Sequence, residues 1–219
     1  MSTKSYLKKY ETEDYQTYAK YSHHRKWFNK LWLSETLGYD CGPSGIFPDK
    51  SGWYIVRPIM NLSGMSVGAE KKYIEEKDIT KVQPGYFWCE WFEGNQYSVT
   101  FERVKNKWLQ TSCWKADRDI DELYKFKKWM RYDHKIFRLP KFFDGLSDLD
   151  VINVEFIDDR PIEVHLRRSP DPDCNEFIPI WEGEQYLVDK YEVMGYSYTE
   201  SYDSADGFLK TPRLGFMIK

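Results

Sequence analysis

Apolar and polar positions alternate in several short runs of this 219-residue chain, and a period of two is the signature of strands with one buried face. The clearest case is Val151-Ile152-Asn153-Val154-Glu155-Phe156-Ile157, then Asp158-Asp159-Arg160, then Pro161-Ile162-Glu163-Val164-His165-Leu166-Arg167. Two strands joined by a tight turn are predicted. Alternation sends Ile152, Val154 and Phe156, and Ile162, Val164 and Leu166, to a core. It leaves Asn153, Glu155, Glu163, His165 and Arg167 on the opposite face. With a three-residue loop at 158–160, Ile157 pairs with Pro161, Glu155 lies opposite Glu163, and Asn153 lies opposite His165.

Other elements follow from similar signals. Trp53-Tyr54-Ile55-Val56-Arg57-Pro58-Ile59-Met60 reads as a strand, and the loop at 61–68 replaces bulk with small residues and glycine. Residues 86–92 and 97–104 are aromatic and β-branched runs joined across Glu93-Gly94-Asn95-Gln96, which predicts a hairpin, and 108–114 adds a third strand to make a meander. Asp119 followed by Glu122 forms a capping-box pattern, and Ile120, Leu123, Tyr124 and Met130 recur at helical spacing through Asp133. A helix of about twelve to fifteen residues is predicted there. Residues 4–33, basic and aromatic, read as mostly helical, and Gly38, Gly42, Pro43, Gly45 and Pro48 mark a loop with a boundary near Gly52.

Composition narrows the function classes. Lys+Arg 32 against Asp+Glu 35 gives a net charge of −3, which disfavours a nucleic-acid binder. No run approaches the roughly 18 apolar residues of a membrane span, and the opening Met-Ser-Thr-Lys-Ser-Tyr lacks the apolar core of a secretory signal, so a cytoplasmic setting is expected. Cys41, Cys89, Cys113 and Cys174 show no C-x-x-C spacing and read as reduced thiols. The 18% aromatic content is read mainly as core volume. His23 and His24, being adjacent, are expected to point apart on a solvated basic face, which speaks against a metal site shared between them.

Chemistry concentrates on the hairpin. Like charges directly opposite in a sheet, at Cβ separations of about 5 Å, destabilise it unless a proton, an arginine or a cation neutralises them. A divalent metal is the natural partner of Glu155 and Glu163, and magnesium, commonly held by one or two carboxylates plus nucleotide phosphates, suits them better than zinc. The alternative is a solvent-facing polar strip screened by Arg167, which a one-residue slip of register restores.

A basic residue before proline (Arg57-Pro58), the loop at 61–68, the Glu90-Trp91-Phe92-Glu93-Gly94 turn, and a final acidic strand followed by Glu163-Val164-His165-Leu166-Arg167 together resemble the ATP-grasp superfamily over residues 53–168. The resemblance implies an α+β fold whose two lobes grip a nucleotide, with residues 53–180 as its core, 1–52 as a reduced preceding region, and 181–219 as an extension packed on the core. Arg57 stands where the family places a Lys that reaches the phosphates, as in a clade with arginine there, many of whose members are encoded by phages and bacteria. Ser63, Gly64 and Ser66 match the mobile loop over the phosphates. Glu90, Trp91 and Phe92 match the adenine-binding hinge, and Gln96 replaces the Glu that often holds the ribose. Glu155 and Glu163 match the metal carboxylates, with His165 in place of the usual Asn.

The implied cofactors are ATP and Mg2+, and the implied activity is an ATP-dependent carboxylate-amine or peptide ligase acting through an acyl phosphate. Arg167 would steady that intermediate, and Lys115 lies roughly where related ligases direct a basic residue toward it. The implied partners are a carboxylate and an amine, each a small molecule or a peptide. The competing expectation is an inactive nucleotide-binding or protein-interaction module, for which His165 and Gln96 speak. The Tyr-rich residues 181–219 either cover the site or make a homodimer contact.

Overall fold

The structure, a computed structural model, describes residues 13–78, 81–118, 122–170 and 172–219. The described residues open with α1 (Asp14–Lys20), a 3-10 turn (Ser22–Phe28) and α2 (Lys30–Thr36), in line with the helical reading, of which residues 4–12 lie outside the described residues. Two antiparallel sheets follow. The smaller has the order β1 (Cys41–Pro43), β4 (Tyr86–Glu90), β2 (Gly52–Pro58), β3 (Glu70–Ile74). The larger runs β11 (Ser197–Asp203), β12 (Arg213–Ile218), β10 (Glu176–Trp181), β7 (Phe126–Arg131), β6 (Lys107–Arg118), β5 (Gln96–Val104), β8 (Val151–Ile157), β9 (Arg160–His165). Residues 181–219 thus continue the sheet beyond β10, with α3 (Leu187–Val193) between β10 and β11. Among the described residues no helix is long and apolar enough to cross a membrane.

The core explains the aromatic content. One face of β5, β8 and β9 presents Tyr97, Phe101, Ile152, Val154, Phe156 and Val164, and the opening segment covers it with Trp27, Phe28 and Leu33. Trp27 stacks on Phe142 at 5.3 Å between centroids and 11° between planes, and Phe142 and Phe143 lie in a second 3-10 turn, Lys141–Leu146. Burial of rings of this size contributes roughly 2–3 kcal/mol each relative to exposure. In the same seam His23 and His24 converge, where a divergent pair was expected. Their ring centroids are 4.1 Å apart, and both Nε2 atoms meet the carboxylate of Asp148. The tight 3-10 turn and a shared acidic partner override the simple neighbour rule.

The structure departs from the sequence pattern in two further places. Residues 86–92 and 97–104 are not a hairpin: β4 pairs with β1 and β2, whereas β5 pairs with β6 and β8, so residues 91–95 carry the chain from one sheet to the other. Gly94 sits there at φ 139°, and a Cβ on it would lie 2.2 Å from Asp158 Oδ2. Asp158 N–H donates to Asn95 O, and Asp158 Oδ1 accepts from Asn95 N–H, which staples the crossing to the β8–β9 turn. The second departure is the helix expected through Asp133. Its proposed start, residues 119–121, lies outside the described residues, and residues 126–131 form β7. Phe126 and Trp129 share a face at helix-like spacing because Arg118 pairs with Phe126 while Asp117 pairs with Lys128, so Lys127 is an inserted bulge residue.

The β8–β9 hairpin pairs Glu155 with Glu163 and Asn153 with His165, as expected, but by another route. Its turn has two residues, Asp158 and Asp159, and Ile162 is the extra residue of a bulge that restores the register. Ile162 consequently leaves the core alternation and lines a cavity between the sheets. At the far edge, β12 approaches β11 so closely that a Cβ on Gly215 would stand 2.3 Å from Thr199 O. Gly215→Ala is expected to cost about 1–3 kcal/mol, measured by urea unfolding, because the clash is with backbone.

Candidate active site

Strand alternation and the two bulges aim a set of polar side chains from the sheet face opposite the aromatic core. Gln96 (β5), Arg118 (β6), Glu155 (β8), and Glu163 and His165 (β9) converge there. Arg57 joins them from β2, and Lys30 from the start of α2. Two cavities meet at this point, and Ser66, Glu155 and Glu163 line both. The first lies between the sheets and is apolar at one end, with Ile55, Cys89, Trp91, Phe92, Ile157 and Ile162. Arg57, Gln96 and Arg118 line its polar part. The second is wider, bounded by Ser63, Gly64, Asn153, His165 and Arg167, with Trp129, Phe177 and Phe216 as an aromatic wall.

The carboxylates are held by a charge network. Glu163 pairs with Lys30 at 2.8 Å, and both side chains are almost fully buried. Gln96 relays between Arg118 and Glu155: its Oε1 accepts from Arg118 Nη1 at 3.0 Å, and its Nε2 donates to Glu155 Oε2 at 2.9 Å. Asp14, the buried first residue of α1, meets His165 Nδ1 at 2.6 Å and accepts from Arg167 Nε at 2.8 Å. His165 Nε2 then stands 3.7 Å from Glu155 Oε1 and 3.9 Å from Glu163 Oε1. Arg57 Nη2 donates to Ile162 O, while its buried Nε has no hydrogen-bond partner among the described residues.

Protonation follows from these contacts. Burial alone would depress the His165 pKa, but the Asp14 carboxylate outweighs it and raises the value to about 9, so the ring is an imidazolium at neutral pH. Burial opposes ionisation of Glu163, yet Lys30, His165 and Arg57 hold its pKa below the ordinary range. Asp14 is likewise lowered: burial raises it, but His165 and Arg167 prevail. Around the junction of the two cavities, Asp14, Glu155 and Glu163 therefore face Lys30, Arg57, Arg118, His165 and Arg167, with Glu90 on the wall of the first cavity and Glu13, Asp203, Asp206 and Arg213 on that of the second.

No protein-family model matches the sequence, and no curated protein does. Among solved structures, the chain is similar to carboxyaminoimidazole ribonucleotide synthase from Aspergillus clavatus complexed with ATP, at 10% identity over 93% of this chain and 72% of that one, with a TM-score of 0.59. It is also similar to N5-carboxyaminoimidazole synthetase from Staphylococcus aureus complexed with ADP, at 11% identity over 90% and 68% of the two chains, with a TM-score of 0.53.

The chain has the ATP-grasp fold.

Within this ATP-grasp fold, Arg57, Ser66, Glu90, Trp91, Phe92, Gln96, Glu155 and Glu163 line the inter-sheet cavity, and Ser63, Gly64, His165 and Arg167 line the second. Several have local duties as well. Glu90 Oε1 accepts from Asp40 N–H at 3.1 Å, Trp91 donates to Glu93, and Phe92 packs edge-on against Tyr39. Lys115 is not brought to either cavity. It lies over the Tyr132 ring, on the sheet face that Cys113 also occupies, whereas Arg118 reaches the site from the other face beyond the Asp117/Arg118 bulge. Arg118, on the same strand, lines the inter-sheet cavity instead, and extending the alternation of the third meander strand past residue 114 puts it on that face.

Asp14 and Lys30 carried no sequence signal, since their partners are distant in the chain. The metal expectation also narrows. His165 Nδ1 is engaged by Asp14, so only its Nε2 faces the two carboxylates, and a nitrogen donor is a poor ligand for magnesium. Glu155 and Glu163 keep hard carboxylate oxygens on facing strand positions. With Arg57 and Arg118 beside them, they suit a magnesium ion carried on a nucleoside triphosphate, a complex of about two negative charges, and the residues fit the metal in that form.

Proposed function

We propose that the chain binds ATP in the inter-sheet cavity and uses it to join a carboxylate to an amine, each a small molecule or a peptide, through an acyl phosphate. The observation that carries this reading is the shared boundary. Glu155 and Glu163 lie where an apolar slot suited to a nucleobase opens onto a second, polar and aromatic cavity suited to another substrate. Glu155 and Glu163 would hold magnesium, which when bound offsets phosphate charge. The chain's own residues supply the rest. Arg57, with an unused buried N–H, and Arg118 stabilise phosphate oxygens. The substrate carboxylate oxygen attacks the γ-phosphorus as the bond to ADP breaks. The amine then adds to the acyl carbon, a proton is lost from nitrogen, and phosphate departs. Arg167, oriented by Asp14, faces the acyl phosphate, and exclusion of water between the sheets protects it from hydrolysis.

A second reading, a nucleotide-binding module without ligase chemistry, draws on Gln96, whose amide is already engaged at both ends by Arg118 and Glu155 where the family often has a ribose-binding Glu. Thermal unfolding tests the shared part. ATP with magnesium at about 100 times Kd should stabilise the fold by about 2.7 kcal/mol, several degrees in Tm for a chain of this size. Magnesium alone should give no shift, and Arg57→Ala should lose most of the nucleotide effect. Absence of any nucleotide shift would refute both readings. ADP release in the presence of pooled amino acids and short peptides separates them.

A further inference from the structure

We propose that His23, His24 and Asp148 form a site for a zinc-type divalent ion that clips the opening segment onto the large sheet. The three residues lie in the seam described above, apart from the Glu155/Glu163 pair. His24 Nε2 is 2.7 Å from Asp148 Oδ1 and His23 Nε2 is 2.9 Å from Asp148 Oδ2, and the three ligand atoms lie within 4.8 Å of one another. Two imidazole nitrogens and one carboxylate oxygen are a zinc donor set, whereas magnesium and calcium ask for oxygen throughout. Water would complete the tetrahedron on the exposed side.

The spacing suits the ion. With metal–ligand bonds of about 2.0–2.2 Å, tetrahedral ligand atoms stand about 3.3 Å apart, so the two histidine–carboxylate contacts need to open by a few tenths of an ångström while the widest separation, within 4.8 Å, closes toward the same value. Asp148 can supply that movement because its side chain is half exposed, while the His24 ring, 9% exposed, is held in place by its surroundings.

The consequence reaches the candidate active site. His24 and Asp148 are 124 positions apart, and a cross-link over so long a loop removes much conformational freedom from the unfolded chain. The clipped segment also delivers Asp14 and Lys30, which neutralise the charges at the junction of the cavities. Occupancy would therefore stiffen that network from a distance.

The test uses the full chain freed of metal with a chelator, titrated with ZnCl2 by calorimetry and with Co2+ by visible absorption. Expected are one ion per chain, a raised Tm, and the absorption bands of tetrahedral cobalt. His23→Ala, at an exposed ring, and Asp148→Asn should each weaken binding by about tenfold or more. Glu163→Gln should leave zinc binding intact. Lack of saturable binding at micromolar ion, or binding that His23→Ala and Asp148→Asn leave unchanged, would overturn the assignment.

Discussion

Asp14→Ala should destabilise the protein by about 3–5 kcal/mol, measured by urea unfolding, because it removes the counter-charge of two buried cations at once. Asp14 is 2% exposed, and its two oxygens are divided between His165 and Arg167, which are themselves nearly buried. Asp14→Asn keeps one acceptor and should cost less. The pH dependence follows from the direction of each shift. His165 is raised to about 9, so its contribution is fully present below the unfolded value of about 6.5 and is lost as pH climbs through 9. Asp14 is depressed, so its contribution is present above the unfolded value of about 4 and is lost as pH falls below that toward the folded one. The wild type should therefore be most stable relative to Asp14→Ala between about pH 4 and 6.5. An equal gap between the two proteins from pH 5 to 10 would contradict the ion-pair account.

Glu163→Gln should cut ADP release by about 10²–10³-fold and abolish the help that magnesium gives to ATP binding. Glutamine matches the shape of Glu163 and still offers Lys30 an oxygen, so the fold should survive. The charge does not survive. Lys30, His165 and Arg57 then lose a shared counter-ion, the site becomes more positive by one charge, and free ATP should bind at least as well as in the wild type. Titrating ATP with and without magnesium against both proteins checks this. A magnesium effect undiminished in Glu163→Gln would remove Glu163 from the metal site.

The hairpin shows how far local pattern can be trusted. Pairing of Glu155 with Glu163 was legible, yet a three-residue loop and a two-residue turn with a bulge at Ile162 give the same register. Local sequence therefore could not choose between them. Their difference falls on Ile162, which lines the inter-sheet cavity where the core was expected. The helix expected through Asp133 was read from Ile120, Leu123, Tyr124 and Met130, and pairing with β6 and β10 makes residues 126–131 a strand instead. Arg57, Trp91, Phe92 and Arg167, named from the family resemblance, line the two cavities, whereas Lys115 lies on the other face of its strand.

By itself the sequence determined the α+β class, the strands that carry the acidic pair, and the aromatic residues that would fill the core, because alternation and side-chain type act over a few residues. Tertiary structure alone decided that residues 91–95 cross between sheets and that Asp14 and Lys30 hold the charges of His165, Arg167 and Glu163. Asp14 and His165 are 151 positions apart. Contacts of that span arise from how the opening segment packs on the large sheet, and no local period encodes them.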